Sequence, residues 1–127
     1  WSMGRQARAV NINVGREKGA VREMAIMHAN DESFAKEVKQ GVVLVDFYAN
    51  WCGPCIMLGP VLEQLDKEMA GKVKIVKVNV DDSKKTAAEH NVMGIPALFI
   101  YKGGKVVSSD TGAHPLPALK KWLEQVL

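Results

Sequence analysis

The chain has 127 residues, 47% of them hydrophobic and 24% charged, which suits one compact domain with a buried core rather than a disordered polar chain. Its longest stretch without a formal charge, Phe47 to Leu62, is too short to cross a bilayer, and Gly53, Pro54, Gly59 and Pro60 interrupt it, so no membrane partner is expected. The net charge of +3 is unevenly placed: Arg5, Arg8, Arg16, Lys18 and Arg22 face only Glu17 and Glu23 in residues 1–23, while the rest of the chain carries 12 lysines against 12 acids. The body has no net field to steer an anionic polymer, and no nucleic-acid partner is expected.

Residues 1–23 lack an apolar run of signal-peptide length and begin with Trp1 rather than Met. They read as an N-terminal extension that is disordered, or that was added artificially or left by processing, with Met3 or Met24 as candidate native starts. A transit peptide, or an edge strand over Val10–Val14, is the alternative. The domain is expected over residues 24–127, where strand and helix periods alternate. Ala25–His28 is a short apolar run. Asn30 or Asp31 then offers an N-cap for a helix over Asp31–Lys39, with Phe34 and Val38 on one face. Val42–Tyr48 (VVLVDFY) is the nearly continuous β-branched and aromatic run of a strand buried on both faces. A helix is predicted from about Pro54 to Ala70, kinked at Pro60, whose nitrogen cannot donate to the helix ladder. Val73–Val80 is another strand, and Asp81 or Asp82 caps a helix running to about His90. Ala97–Tyr101 and Lys105–Thr111 form a hairpin around Lys102-Gly103-Gly104. An amphipathic helix over Leu116–Val126 closes the chain. The order β-α-β-α-β-α-β-β-α implies an α/β domain, with a central mixed sheet covered by helices on both faces in three layers.

Cysteine is confined to Cys52 and Cys55. Two thiols make no disulfide-stapled scaffold and fall short of a structural zinc site. His28, His90 and His114 complete no metal-ligand spacing, so no metal is expected; a half-site shared between two chains is the alternative. The pair sits where a buried strand gives way to a helix, whose unpaired N–H groups and positive dipole end favour a thiolate. Cys52 is therefore expected to be the acidic, exposed nucleophile, and Cys55, one turn in and more shielded, to attack second. Gly53-Pro54 lets the chain turn tightly and enter the helix with φ preset. Asp46, between Val45 and Phe47 in a buried strand, is expected to hold its proton more tightly than a surface aspartate.

Trp51-Cys52-Gly53-Pro54-Cys55 resembles the active-site signature of the thioredoxin family. The match extends to Asp46, Pro60, Lys77, Gly94-Ile95-Pro96 and Gly112, in order and at family-like spacing, over Met24 to Leu127. The resemblance implies a thioredoxin-like fold and a protein-disulfide reductase that needs no bound cofactor beyond a redox-active Cys52–Cys55 disulfide. It places Asp46 behind Cys55 to accept its proton through water, with Lys77 as the nearby counter-charge. An end-of-strand Asp46, and a Lys77 on a solvated face shared with Lys74, are the plainer readings. Pro96 resembles the family's cis-proline, which presents the backbone of Ile95 to an extended substrate and keeps metal off the thiols. Trp51, Gly53, Pro54, Ile95, Pro96, Gly112 and Ala113 would form an apolar rim around Cys52, with Trp51 partly exposed.

Two positions depart from the family's pattern. Tyr48 stands where tryptophan is usual, adding a hydroxyl that needs a partner. Ile56 follows the second cysteine where lysine or arginine is common, leaving an apolar surface residue. The expected partners are disulfide-containing proteins and a thioredoxin-reductase-like electron donor, for a cytoplasmic monomer. A disulfide oxidase or isomerase of the same fold, and a non-catalytic binding subunit, are the competing functions.

Overall fold

The computed structural model describes residues 26–127; the readings of residues 1–23 and the start of the first strand at Ala25 lie outside them. The elements are β1 (Ile26–Ala29), α1 (Phe34–Glu37), β2 (Val42–Tyr48), α2 (Gly53–Glu68), β3 (Val73–Asn79), α3 (Lys84–Glu89), β4 (Ala97–Lys102), β5 (Lys105–Thr111) and α4 (Leu116–Glu124), in the order read from the sequence. The strands form one mixed sheet in the order β1-β3-β2-β4-β5. β1 and β2 run parallel to β3, while β4 pairs antiparallel with both β2 and β5.

The central place of β2 explains its composition. With partners on both edges and helices over both faces, every side chain from Val43 to Phe47 is buried, so the run cannot alternate with polar residues. On one face Leu44, Ile75, Leu98 and Ile100 pack with Leu58, Leu62 and Leu65 of α2 and Leu119 and Leu123 of α4. On the other, Val43, Val45, Phe47, Val76 and Val78 pack with Phe34 and Val38, closed at the side by Ala87 of α3. Asp46 lies two residues from Leu44, so it faces the α2 side of the sheet.

Most boundaries fall within a residue or two of expectation, and the larger differences at the starts of α1 and α3 have local causes. α1 covers only Phe34–Glu37 because the Asn30 side chain accepts the N–H groups of Glu32 and Ser33, both at 2.9 Å, and holds a turn at the expected start of the helix. Phe34 and Val38 are nonetheless buried. α3 starts at Lys84 rather than directly after Asp81 or Asp82, because Asn79 accepts the N–H of Asp81 through its side chain and those of Asp82 and Ser83 through its backbone. A carboxylate from elsewhere serves its first turn: Asp31 accepts the Thr86 N–H at 2.8 Å and its hydroxyl at 2.6 Å. Finally, α4 stops at Glu124 instead of Val126. α2 continues as one 16-residue helix through Pro60, and Gly103 and Gly104, with φ of 61° and 85°, turn the β4–β5 hairpin.

Candidate active site

The end of β2 aims the chain directly at the cysteines. Beyond Tyr48 the Cys52 N–H donates to the carbonyl of Ala49 at 3.2 Å, a tight turn that delivers Cys52 as the N-cap of α2. Its Sγ does the work usually done by a capping oxygen, accepting the N–H of Cys55 at 3.2 Å. Pro54 occupies the first turn, where a missing N–H leaves no carbonyl unpaired. Cys52 and Cys55 form a disulfide with their Cα atoms 5.2 Å apart, inside the normal range for such a bridge.

A second segment approaches from across the sheet end. The Ile95–Pro96 peptide is cis, and the Ile95 carbonyl oxygen lies 3.7 Å from Cys52 Sγ. The Gly112 N–H donates to the Pro96 carbonyl at 2.8 Å. Gly112 has φ of 103°, a conformation that glycine alone adopts without strain. That bond fixes the β5–α4 turn, with Ala113, beside Pro96. The fold thus gathers Trp51, Cys52, Gly53, Pro54, Cys55, Ile95, Pro96 and Gly112 at one end of the sheet. Trp51 is 72% exposed and Ile56 63% exposed, giving the surface an apolar border.

One expectation needs correction. Cys52 is not an exposed residue: it is 6% exposed, against 3% for Cys55. Its sulfur is folded under the Cys55 N–H, beside the Ile95 carbonyl, and packs with Ala49. The order of accessibility survives, but only by a small margin.

Asp46 is fully buried, and neither carboxylate oxygen accepts a hydrogen bond. Burial raises its pKa from 3.8 to about 7, against an opposing pull from Lys77. Lys77 is its register partner on β3, with the ammonium 4.6 Å from the centre of the Tyr48 ring. Lys74 does not share that face. Three residues apart on a strand, the two lysines point oppositely, and Lys74 pairs with Glu37 of α1 at 2.6 Å.

Two neighbours are not signalled by the sequence. Asp81 accepts the Trp51 indole N–H at 2.9 Å, bracing the exposed ring across 30 positions of chain. His28 lies 3.5 Å from the Tyr48 hydroxyl through Nδ1, so that with the Asn79 side chain the hydroxyl has the partners it needs. No local motif marks either residue. Parallel pairing of β1 with β3 would have located His28, since it places His28 level with Lys77.

A family model described as Thioredoxin matches residues 25–125. The chain belongs to the thioredoxin family. It is 50% identical over 104 residues to thioredoxin of Bacillus subtilis (strain 168), covering 82% of this chain and 100% of that protein. It is 46% identical over 102 residues to thioredoxin of Haemophilus influenzae, covering 79% and 95%. A thioredoxin of Staphylococcus aureus is 44% identical over 104 residues, covering 82% and 100%. The protein is a thiol–disulfide oxidoreductase: the cysteine pair, present here as the disulfide, reduces target disulfides in its dithiol form by dithiol/disulfide exchange. The family needs no cofactor beyond that redox-active disulfide. Among the described residues no group of three His, Cys, Asp or Glu side chains is placed to hold a metal ion, and no helix is long and apolar enough to cross a membrane.

Proposed function

We propose that Cys52 is the nucleophile and Cys55 the resolving thiol of a general protein-disulfide reductase. The observation that carries this assignment is the use of Cys52 Sγ as the N-cap of α2, where the Cys55 N–H donates to it. In the reduced protein the same donor and the helix dipole stabilise a thiolate at Cys52 more than at Cys55. The Cys52 thiolate attacks one sulfur of a target disulfide, breaking it and releasing the first target thiol as a mixed disulfide forms. Asp46 takes the Cys55 proton through water, and Cys55 attacks the Cys52 sulfur. The second target thiol leaves, and two electrons have passed to the target as Cys52–Cys55 is oxidised. Lys77 tempers the negative charge on Asp46. Trp51, Gly53, Pro54, Ile95, Pro96, Gly112 and Ala113 form the docking rim, where the Ile95 backbone pairs with an extended substrate segment.

In this reading a thioredoxin-reductase-like donor restores the dithiol, and the protein works as a monomer, since the rim must stay open to protein substrates. The cytoplasm suits a carrier whose dithiol is kept reduced. Equilibrating the Cys52–Cys55 pair with glutathione and dithiothreitol buffers separates a reductase from an oxidant of the same fold. A reductase keeps its disulfide in millimolar glutathione and yields it to dithiothreitol. A pair fully reduced by glutathione alone points instead to disulfide formation or isomerisation.

A further inference from the structure

The register of the sheet lines up three titratable side chains. His28 on β1 is level with Lys77 on β3, and Lys77 is level with Asp46 on β2. Each lies two residues along its strand from a member of the α2-side core, namely Ile26, Ile75 and Leu44, so all three project from the same face. The row runs from an exposed histidine at the sheet edge, through a half-buried lysine, to a fully buried aspartate. Lys77 therefore has two resting places within reach. One is the Asp46 carboxylate, where an ion pair in so buried a site would hold the aspartate ionised. The other is the aromatic face of Tyr48, where its ammonium is found, 4.6 Å from the ring centre. Both Asp46 oxygens are left without a hydrogen-bond donor.

We propose that Tyr48 is a positioning residue, whose ring holds the Lys77 ammonium near the Asp46 carboxylate but off it, so that Asp46 retains an exchangeable proton. The ring is braced from outside. His28 packs edge-on against it, with centroids 6.3 Å apart and planes at 77°, and its Nδ1 lies 3.5 Å from the Tyr48 hydroxyl. Among the described residues, these groups bear on Asp46 directly or through Tyr48, whose hydroxyl the Asn79 side chain also hydrogen-bonds. β3 brings Lys77, β2 brings Tyr48, and β1 brings His28 behind them. α2 brings the cysteine pair, β4 brings only Leu98 at the paired position, and Asp82 acts on Tyr48 from the turn after β3. Asp66 lies about 16 Å farther along α2 than Cys55, at 1.5 Å per residue.

This inference deepens the reading of Asp46 as proton acceptor, yet its test does not depend on that reading. The Asp46 carboxyl carbon is followed by NMR through a pH titration of the full chain, in wild type, Tyr48→Leu, Tyr48→Phe, Lys77→Met and the Tyr48→Leu/Lys77→Met double variant. Losing the ring frees the ammonium to pair with the carboxylate, so Tyr48→Leu lowers the Asp46 midpoint by about one pH unit. Tyr48→Phe keeps the ring and shifts it far less. Lys77→Met raises the midpoint, and adding Tyr48→Leu to it produces no further fall. An unchanged midpoint in Tyr48→Leu, an equal fall in Tyr48→Phe, or a fall that persists without Lys77 overturns the proposal. If the midpoints move as stated while reduction rates do not follow them, the placement of Lys77 stands and the proton-acceptor role of Asp46 fails.

Discussion

Cys52→Ser is expected to abolish disulfide reduction, while Cys55→Ser retains the first half of the reaction and accumulates substrate as a mixed disulfide. The asymmetry follows from the N-cap geometry, not from the spacing of the cysteines, which is symmetrical. Cys52 Sγ receives the Cys55 N–H and sits beside the Ile95 carbonyl, whereas Cys55 is enclosed within the first turn of α2. A serine hydroxyl at position 52 satisfies the cap but is no nucleophile toward sulfur, so turnover falls to background. At position 55 it leaves the attacking thiolate intact and removes the only sulfur placed to release the target. Turnover in a coupled insulin-reduction assay should be lost in both variants. Non-reducing gels should show trapped adducts only for Cys55→Ser. Adducts on Cys55 in the Cys52→Ser variant would reverse the assignment. Partners bound with undiminished affinity by the Cys52→Ser/Cys55→Ser double variant would favour a binding subunit over a reductase.

The second large effect concerns Asp46, and it has opposite signs for activity and stability. Asp46→Asn removes the proton acceptor, so resolution of the mixed disulfide near pH 7 is expected to slow on the order of 100-fold, the usual scale for losing one acid–base group. The same change should stabilise the fold at high pH. With its pKa raised from 3.8 to about 7, the folded state binds this proton more tightly than the unfolded chain does. Wild-type stability from this group is therefore complete below about pH 3.8, declines as pH rises, and reaches its floor above about pH 7. Each tenfold change in proton affinity is worth about 1.4 kcal/mol, which gives about 4 kcal/mol for the whole interval. Asparagine carries no such dependence. Urea unfolding at pH 3 and pH 9 should show the variant near wild type at the first and more stable at the second. Equal stability differences at both pH values would mean that Asp46 does not titrate in this interval.

The features legible in the sequence share one property: their cause is local. The run Val42–Tyr48 announces a central strand because burial on both faces removes polar alternation. Trp51 to Cys55 announces a strand-to-helix turn because Gly53 and Pro54 meet there shortly after the strand. Gly103-Gly104 marks the hairpin. Less of α1 is legible, since Asn30 favours an Asx turn as readily as an N-cap, and only the folded chain decides between them. The burial of Cys52 is hidden because its cover comes from Ile95, 43 positions away. Asp81 and His28 are invisible for the same reason: their partners are the exposed Trp51 ring and the Tyr48 hydroxyl, brought close by parallel strands whose pairing no short motif encodes. The alternative that sets Lys77 on a solvated face with Lys74 fails on strand periodicity alone.

The most direct test of the assignment of roles is the rate of alkylation of the reduced protein by iodoacetamide as a function of pH, with the labelled cysteine mapped by mass spectrometry. Because Cys52 Sγ caps α2, labelling should fall on Cys52 first, with a midpoint well below the value of about 8.5 for a free cysteine. First labelling at Cys55, or a Cys52 midpoint at the free-thiol value, would contradict the central role of the N-cap sulfur.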